Sequence, residues 1–307
     1  MANIIAVVWD FDKTLVNGYM QDPIFEEYGV DAKAFWAEVN ALPEKYWKEQ
    51  GVRVNRETIY LNHFINCTRK GIFPGLSNEK LRAYGKDLIF YHGIPEIFER
   101  TKALIAGEPK YREYDIKVEH YIVSTGMAEI IRGSAVMDHV EAIWGCEFIE
   151  EERGGVREIS ELGYTIDNTS KTRAIFEINK GVPQNPQIDV NSKMPEALRR
   201  VRFENMIYVA DGPSDIPTFS LLGARGGSTF AIYPKGDRTA MRQVEQMRMD
   251  GRIHMFAEAD YSEGTTASMW IENKILEFAE RIYEHERSHL AASISDVPRH
   301  LTTTTGV

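Results

Sequence analysis

Ile4-Ile5-Ala6-Val7-Val8-Trp9, followed at once by Asp10-Phe11-Asp12-Lys13-Thr14, is the stretch that decides the fold. A short, continuous apolar run predicts a strand buried on both faces of a parallel sheet. Ligands of open α/β sheets bind at the carboxyl ends of the strands, where this run turns abruptly acidic.

Further along, the same pattern returns. His120 to Val123 predicts a strand that ends in Ser124-Thr125-Gly126. Met206 to Ala210 predicts another, ending in Asp211-Gly212-Pro213-Ser214-Asp215, and Phe230 to Tyr233 a further one. Helical stretches alternate with them: Pro95 to Ile105, Met127 to Arg132, a helix from about Ser214, and a long one from Thr266 to Arg287. Ser170 is placed to cap a helix that runs to Lys180 and stops at Gly181. Two extended stretches between Val140 and Leu162 flank Arg153-Gly154-Gly155, a hairpin signal. Alternating strands and helices predict an α/β fold: a doubly wound parallel sheet, Rossmann-like, with helices on both faces.

Residues from about 20 to 90 break the alternation. Ile24-Phe25, Phe35-Trp36, Tyr46-Trp47, Ile59-Tyr60-Leu61 and Phe64-Ile65 recur at helical spacing among charges. The organisation expected is a core of residues 1–15 and 92–290, a small, mainly helical cap of 16–91, and a loose tail of 291–307. Most of the insert's aromatics are expected in the cap's own core, with a few at a substrate pocket.

The chain has 307 residues and a formal net charge of −10, with no basic patch, so no nucleic-acid partner is expected. The N-terminus lacks the positive start of a signal peptide, and no segment reaches the roughly 18 apolar residues of a membrane span. Only Cys67 and Cys146 occur, outside any metal-ligand spacing. These features predict a cytoplasmic protein with buried, inert thiols.

The chemistry lies in the strand ends. Asp10, Asp12, Asp211 and Asp215 would repel one another by roughly 4 kcal/mol per close pair at an effective dielectric of about 20. A divalent cation removes that repulsion, and hard oxygen donors open to phosphate favour Mg²⁺. Lys171, at the start of its helix, adds a third positive charge. Asp10 is then able to attack phosphorus in line with the leaving oxygen. Asp12 is able to protonate the departing alkoxide and later to activate water. Ser124, Thr125 and Gly126 offer a hydroxyl and backbone N–H groups to the phosphoryl oxygens.

In this order of motifs the chain resembles the haloacid dehalogenase superfamily, in its phosphatase branch, and is similar to the phosphoserine-phosphatase-like members. The resemblance covers roughly residues 1 to 280. It rests on Asp10-Phe11-Asp12-Lys13-Thr14-Leu15, on Ser124 after Tyr121-Ile122-Val123, on Lys171, and on Asp211-Gly212-Pro213-Ser214-Asp215. It implies Asp10 as nucleophile and Asp12 as general acid and base. It also implies Mg²⁺ held by Asp10, the Asp12 backbone carbonyl and Asp211, with Asp215 beside it. The expected function is hydrolysis of a phosphate monoester, a small phosphorylated metabolite, through a phospho-aspartate. Phosphotransfer to an alcohol, or a non-catalytic binding module on the same fold, are the alternatives. Asp12 favours an oxygen leaving group, since a halide departs without a proton. Tyr19 stands nine positions after Asp10, where phosphoserine phosphatases carry a glutamate for the substrate's amino group, which argues against phosphoserine.

Other signals read as structure. His285-Glu286-Arg287-Ser288-His289 fits the zinc-protease helix pattern, yet no glutamate follows to complete a site and His300 is out of register. Its neighbours Arg281, Glu284 and Arg287 read as a solvated helix face. Arg53 and Arg56 read as surface charges, and His63 and His92 as structural.

Overall fold

A computed structural model describes residues 3–294. Strand β1 (Ile4–Trp9) has all six residues buried, as its apolar run requires. Helices α1 (Asp22–Tyr28), α2 (Ala32–Gln50), α3 (Ile59–Arg69) and α4 (Asn78–Tyr84) follow. Then come α5 (Glu96–Ala106), the single-turn α6 (Pro109–Glu113), β2 (Lys117–Met127), α7 (Ala128–Gly133), β3 (Ala142–Arg153) and β4 (Val156–Tyr164). The chain closes with α8 (Lys171–Lys180), β5 (Met206–Ala210), α9 (Ile216–Ala224), β6 (Ser228–Tyr233), α10 (Arg238–Met249), β7 (Met255–Glu258) and α11 (Thr266–Ile294).

The seven strands form one sheet in the order β4-β3-β2-β1-β5-β6-β7. All neighbours are parallel except β3 and β4, which form the expected hairpin about Gly154 and Gly155, both with positive φ. The chain passes from β1 to β2 on one side and later returns to β5 on the other. β1 is therefore the switch point, where a doubly wound sheet opens a crevice at its carboxyl edge. Trp9 pairs with Ile122 of β2 and with Val209 of β5, so the residues after all three strands emerge together. No helix among the described residues is long and apolar enough to cross a membrane.

Trp9 locks this centre. Its indole N–H donates to Nδ1 of His120 at 3.1 Å, and its ring meets Phe98 and Tyr261 edge-on. Gly93 explains how closely the chain passes there. Its φ is +83°, and a Cβ would lie 2.1 Å from the Tyr261 carbonyl carbon, so only glycine fits.

Several sequence expectations shift. The strand expected over 120–123 runs on to Met127, because pairing with β3 resumes at Met127, opposite Cys146, after an irregularity that spans Ser124-Thr125-Gly126. The helix expected from Ser214 begins at Ile216, after a 3-10 turn over Pro213–Asp215. The last helix outruns Arg287 and ends at Ile294, so the expected tail begins later than 291. The remainder of that tail, with His300, lies outside the described residues.

Helices α1 to α4 enclose a core of their own, built on Phe25, Phe35, Phe64 and Phe73. The chain enters and leaves this layer side by side. The Asn17 amide donates to the Ile89 carbonyl at 2.8 Å, and the Tyr91 amide to the Leu15 carbonyl at 2.9 Å. The layer also rests on the hairpin: Arg69 donates to the Ser160 carbonyl at 2.6 Å and the Asn78 amide to Glu150 at 2.6 Å.

Candidate active site

The loop after β1 wraps tightly around Phe11, whose carbonyl accepts from the amides of Thr14, Leu15 and Val16. Lys13 takes a φ of +55° to make the turn, a left-handed conformation costing roughly 1 kcal/mol or more for a residue with a Cβ. The loop holds Asp10 nearly buried at the strand end, and its amide is paired with the Val209 carbonyl at 2.9 Å. The Thr14 hydroxyl donates to Asp10 Oδ2 at 3.2 Å, while the Thr14 carbonyl accepts from the Tyr261 hydroxyl at 2.7 Å.

Lys171 comes in from the start of α8 and is 1% exposed. Its Nζ donates to Asp10 Oδ1 and to Asp215 Oδ1, each at 2.7 Å. Asp215 is fully buried, and it also accepts from the Tyr208 hydroxyl and the Ser214 hydroxyl. Thr14, Tyr208 and Tyr261 are site residues the motif reading missed. Tyr208 carried a usable signal: a tyrosine inside the buried run Met206–Ala210 must find a hydrogen-bond partner for its hydroxyl.

Ser170 does not cap α8 with its side chain; the boundary is right but the mechanism differs. Asp167 gathers the turn instead, accepting from the amides of Thr169 and Ser170, and the Lys171 amide donates to the Asp167 carbonyl.

Oxygen atoms of Asp10, Asp211 and Asp215 all lie within 4.8 Å of one another, the one such group among the described residues. The Asp12 carboxylate is not in that group; the sequence reading assigns Asp12 to the metal through its backbone carbonyl. Asp12 Oδ1 accepts instead from the Met20 amide, 2.8 Å away. The donor set fits Mg²⁺. It is all hard oxygen, and three carboxylates against one lysine leave room for two positive charges.

The electrostatics point the same way. Burial lifts the Asp10 carboxyl to about 6, opposed by Lys171 and reinforced by Asp215. Burial, then repulsion from Asp10, lifts Asp211 to about 7. Asp12 is held well above the usual carboxylate range, again by burial first. Burial alone would lower Lys171, but Asp10, Asp215 and Tyr208 hold it well above its ordinary value.

Ser124, Thr125 and Gly126 follow shortly after Ile122, the register partner of Trp9, at the same edge of the sheet. The Gly126 amide donates to Ser124 Oγ at 2.9 Å, and the Met127 amide to the sulfur of Met20 at 3.0 Å. The Thr125 carbonyl accepts from Tyr60 of α3 at 2.8 Å. At Gly126 a Cβ would lie 2.2 Å from the Met20 terminal methyl, so glycine admits Met20 here. The helical layer touches the α8 approach as well, through Asn55 to Asp167 at 3.0 Å and the Asn168 amide to Glu57 at 2.6 Å.

The remaining candidates stay apart from the cluster. Arg53 and Arg56 are exposed. His63 is buried between Glu38, Cys67 and the Phe35 ring, and His92 lends its carbonyl to the Tyr261 amide. His285 is half exposed on α11, where its ion-pair partner is Glu286, the next residue. Cys67 and Cys146 are free and buried.

The sheet order bears out the doubly wound α/β fold expected from the sequence. The chain belongs to one family with an uncharacterised protein of Borreliella burgdorferi strain B31, 35% identical over 288 residues that span 89% of this chain and 97% of that one. No protein-family model matches the chain. A haloacid dehalogenase family hydrolase from Salmonella enterica serovar Typhi superposes with a TM-score of 0.48 at 15% identity, covering 83% of this chain and 67% of that one. A probable phosphoserine phosphatase from Vibrio cholerae gives 0.47 at 12% identity, over 91% and 67%. A substrate-bound phosphoserine phosphatase gives 0.46 at 18% identity, over 86% and 97%. Likeness at this level carries no argument about activity, which must come from the site itself.

Proposed function

We propose that the protein is a Mg²⁺-dependent phosphate monoester hydrolase that works through a phospho-aspartate on Asp10. The observation that carries this reading is Lys171, buried and bonded at once to Asp10 and Asp215, with the Asp211 carboxylate in the same cluster. A structural ion pair needs one carboxylate; two bonded to Lys171, with a third in the same cluster, suit phosphoryl chemistry.

In this reading an Asp10 oxygen bonds to phosphorus as the bond from phosphorus to the leaving oxygen breaks. Lys171 and Thr14 hold that carboxylate in place. Asp12 gives its proton to the departing alkoxide, and burial keeps it protonated for the task. Because the Met20 amide donates to Oδ1, that proton sits on the other oxygen. Asp12 then takes a proton from water, which attacks the acyl phosphate and returns Asp10 and inorganic phosphate. Asp10, Asp211 and the Asp12 carbonyl would hold Mg²⁺, with Asp215 anchoring Lys171 beside them. When bound, the cation offsets the repulsion between these carboxylates and a phosphate dianion. Backbone N–H groups around Ser124-Thr125-Gly126 receive the phosphoryl oxygens, and residues 16–91 act as a cap that limits water.

The substrate is a small phosphorylated metabolite other than phosphoserine. Lys13 Nζ stands 4.3 Å over the Tyr19 ring, and a cation there repels a substrate ammonium. Phosphate release from acetyl phosphate, small enough to pass a closed cap, tests the reading. Release that needs Mg²⁺ and stops with EDTA supports it; no release from folded protein sinks it.

A further inference from the structure

A groove of about 590 Å³ is lined by Tyr19, Lys33, Trp36, Ala37 and Asn40. The last four occupy one face of α2, at i, i+3, i+4 and i+7 spacing. We infer that this groove receives the leaving group of the substrate and that this group carries a planar ring, as in a nucleoside 5′-monophosphate. The inference rests on the phosphatase reading above.

Two chains of contact tie the groove to the chemistry. Tyr19 directly precedes Met20, whose amide bonds Asp12 Oδ1, so the groove opens one residue from the proposed proton donor. Trp36 packs on Tyr60 with ring centroids 5.6 Å apart, and Tyr60 donates to the Thr125 carbonyl in the proposed phosphate loop. On this inference a substrate with its phosphate at Asp10 has its leaving oxygen at Asp12 and its alcohol directed toward Tyr19, at the edge of the groove.

The wall there is aromatic. Tyr19 and Trp36 lie 6.1 Å apart at 40°, and Tyr19 is 42% exposed while Trp36 is half-buried. An exposed ring beside a half-buried one offers a stacking surface for a flat π-system. Lys33 and Asn40 are both exposed on the same face, supplying a cation and an amide for the polar edge of a heteroaromatic ring. A compact, fully saturated alcohol would leave this surface wet. Lys13 Nζ stands 4.3 Å from the centroid of the Tyr19 ring and adds a positive charge near the same wall.

The test compares alkyl phosphates of equal leaving ability: the common nucleoside 5′-monophosphates against glycerol 3-phosphate, with acetyl phosphate alongside. Wild type is expected to show a KM at least about tenfold lower for one or more of the ring-bearing substrates. Trp36→Ala is expected to raise that KM about tenfold with little change in kcat, and Trp36→Phe to restore most of it. Since Trp36 also packs against Phe25 and Phe35, Ala37→Leu serves as a second variant. It fills the groove without removing a core contact and is expected to erase the preference for rings. Acetyl phosphate turnover with no preference for ring-bearing substrates would overturn the groove assignment alone. So would a preference that neither variant changes. Absence of acetyl phosphate turnover would overturn the phosphatase reading instead, and the groove assignment with it.

Discussion

Lys171 Nζ lies 2.7 Å from Asp10 Oδ1, at a point where the lysine side chain is 1% exposed. A charge pair so placed is weak evidence for stability but strong evidence of dependence, because removing one partner strands the other in a dry site. Lys171→Met is expected to abolish measurable turnover and to destabilise the fold by about 3–5 kcal/mol. Since Mg²⁺ would offset part of the stranded charge, the loss should be larger in EDTA. Thermal melts with and without Mg²⁺ check this; equal losses in both would argue against a cation at the cluster.

Asp12 is given the proton-transfer role, so its loss should depend on the leaving group. Asp12→Asn is expected to slow the phosphorylation step by roughly 10²–10⁴ for an alkyl phosphate. The loss should be much smaller for p-nitrophenyl phosphate, whose leaving group departs without a proton. Rapid-quench measurement of the first turnover separates the two. A uniform loss across both substrates would mean that Asp12 is positional.

Tyr208 acts through Asp215. Its hydroxyl donates to the same Asp215 oxygen that accepts from Lys171, inside a fully buried pocket. Tyr208→Phe keeps the ring's contact with Phe219 but leaves the carboxylate short of one donor. The expected cost is about 1.5–3 kcal/mol in urea unfolding, with a fall in kcat milder than for Lys171→Met. Unchanged stability would show that the hydroxyl does not hold Asp215.

His120 sets an acid limit on the fold. It is fully buried between the Trp9 indole and the Thr101 hydroxyl, and burial is the main cause that pushes it down to about 3. The unfolded chain, with an ordinary value near 6.5, binds a proton there that the native state refuses. Stability from this residue is therefore complete above about pH 6.5 and is lost as pH falls toward 3, at up to about 1.4 kcal/mol per pH unit. His120→Gln should flatten the pH dependence of unfolding between pH 6 and 4 by that slope. An unchanged slope would mean that His120 is protonated in the native state.

What could be read from the sequence was what is local along the chain. The run Ile4–Trp9 is buried throughout because β1 is central, and its apolar character announced both facts. Asp10, Lys171 and Asp215 could be named because each motif sits at a strand end or helix start, where register alone brings it to one edge. Longer-range signals were hidden. Nothing in Ser124-Thr125-Gly126 says that the strand continues through it, since that depends on pairing with β3. Ser170 looked like a cap, but its hydroxyl is engaged by Asp167, three residues earlier, whose carboxylate gathers the amides of Thr169 and Ser170 in the turn before the helix. β7 went unseen because four residues, Met255–Glu258, give too short a pattern. The hairpin was read correctly, but its contact with α3 and the α4 approach is tertiary and has no sequence periodicity.

The central claim is that Asp10 itself carries the phosphoryl group, and trapping tests it most directly. The protein would be quenched with borohydride during steady turnover of acetyl phosphate with Mg²⁺, then digested and sequenced by mass spectrometry. The account predicts homoserine at position 10, the reduction product of an aspartyl phosphate, and none at Asp12, Asp211 or Asp215. Turnover with Asp10 recovered unmodified, or with homoserine at another of these positions, would contradict it.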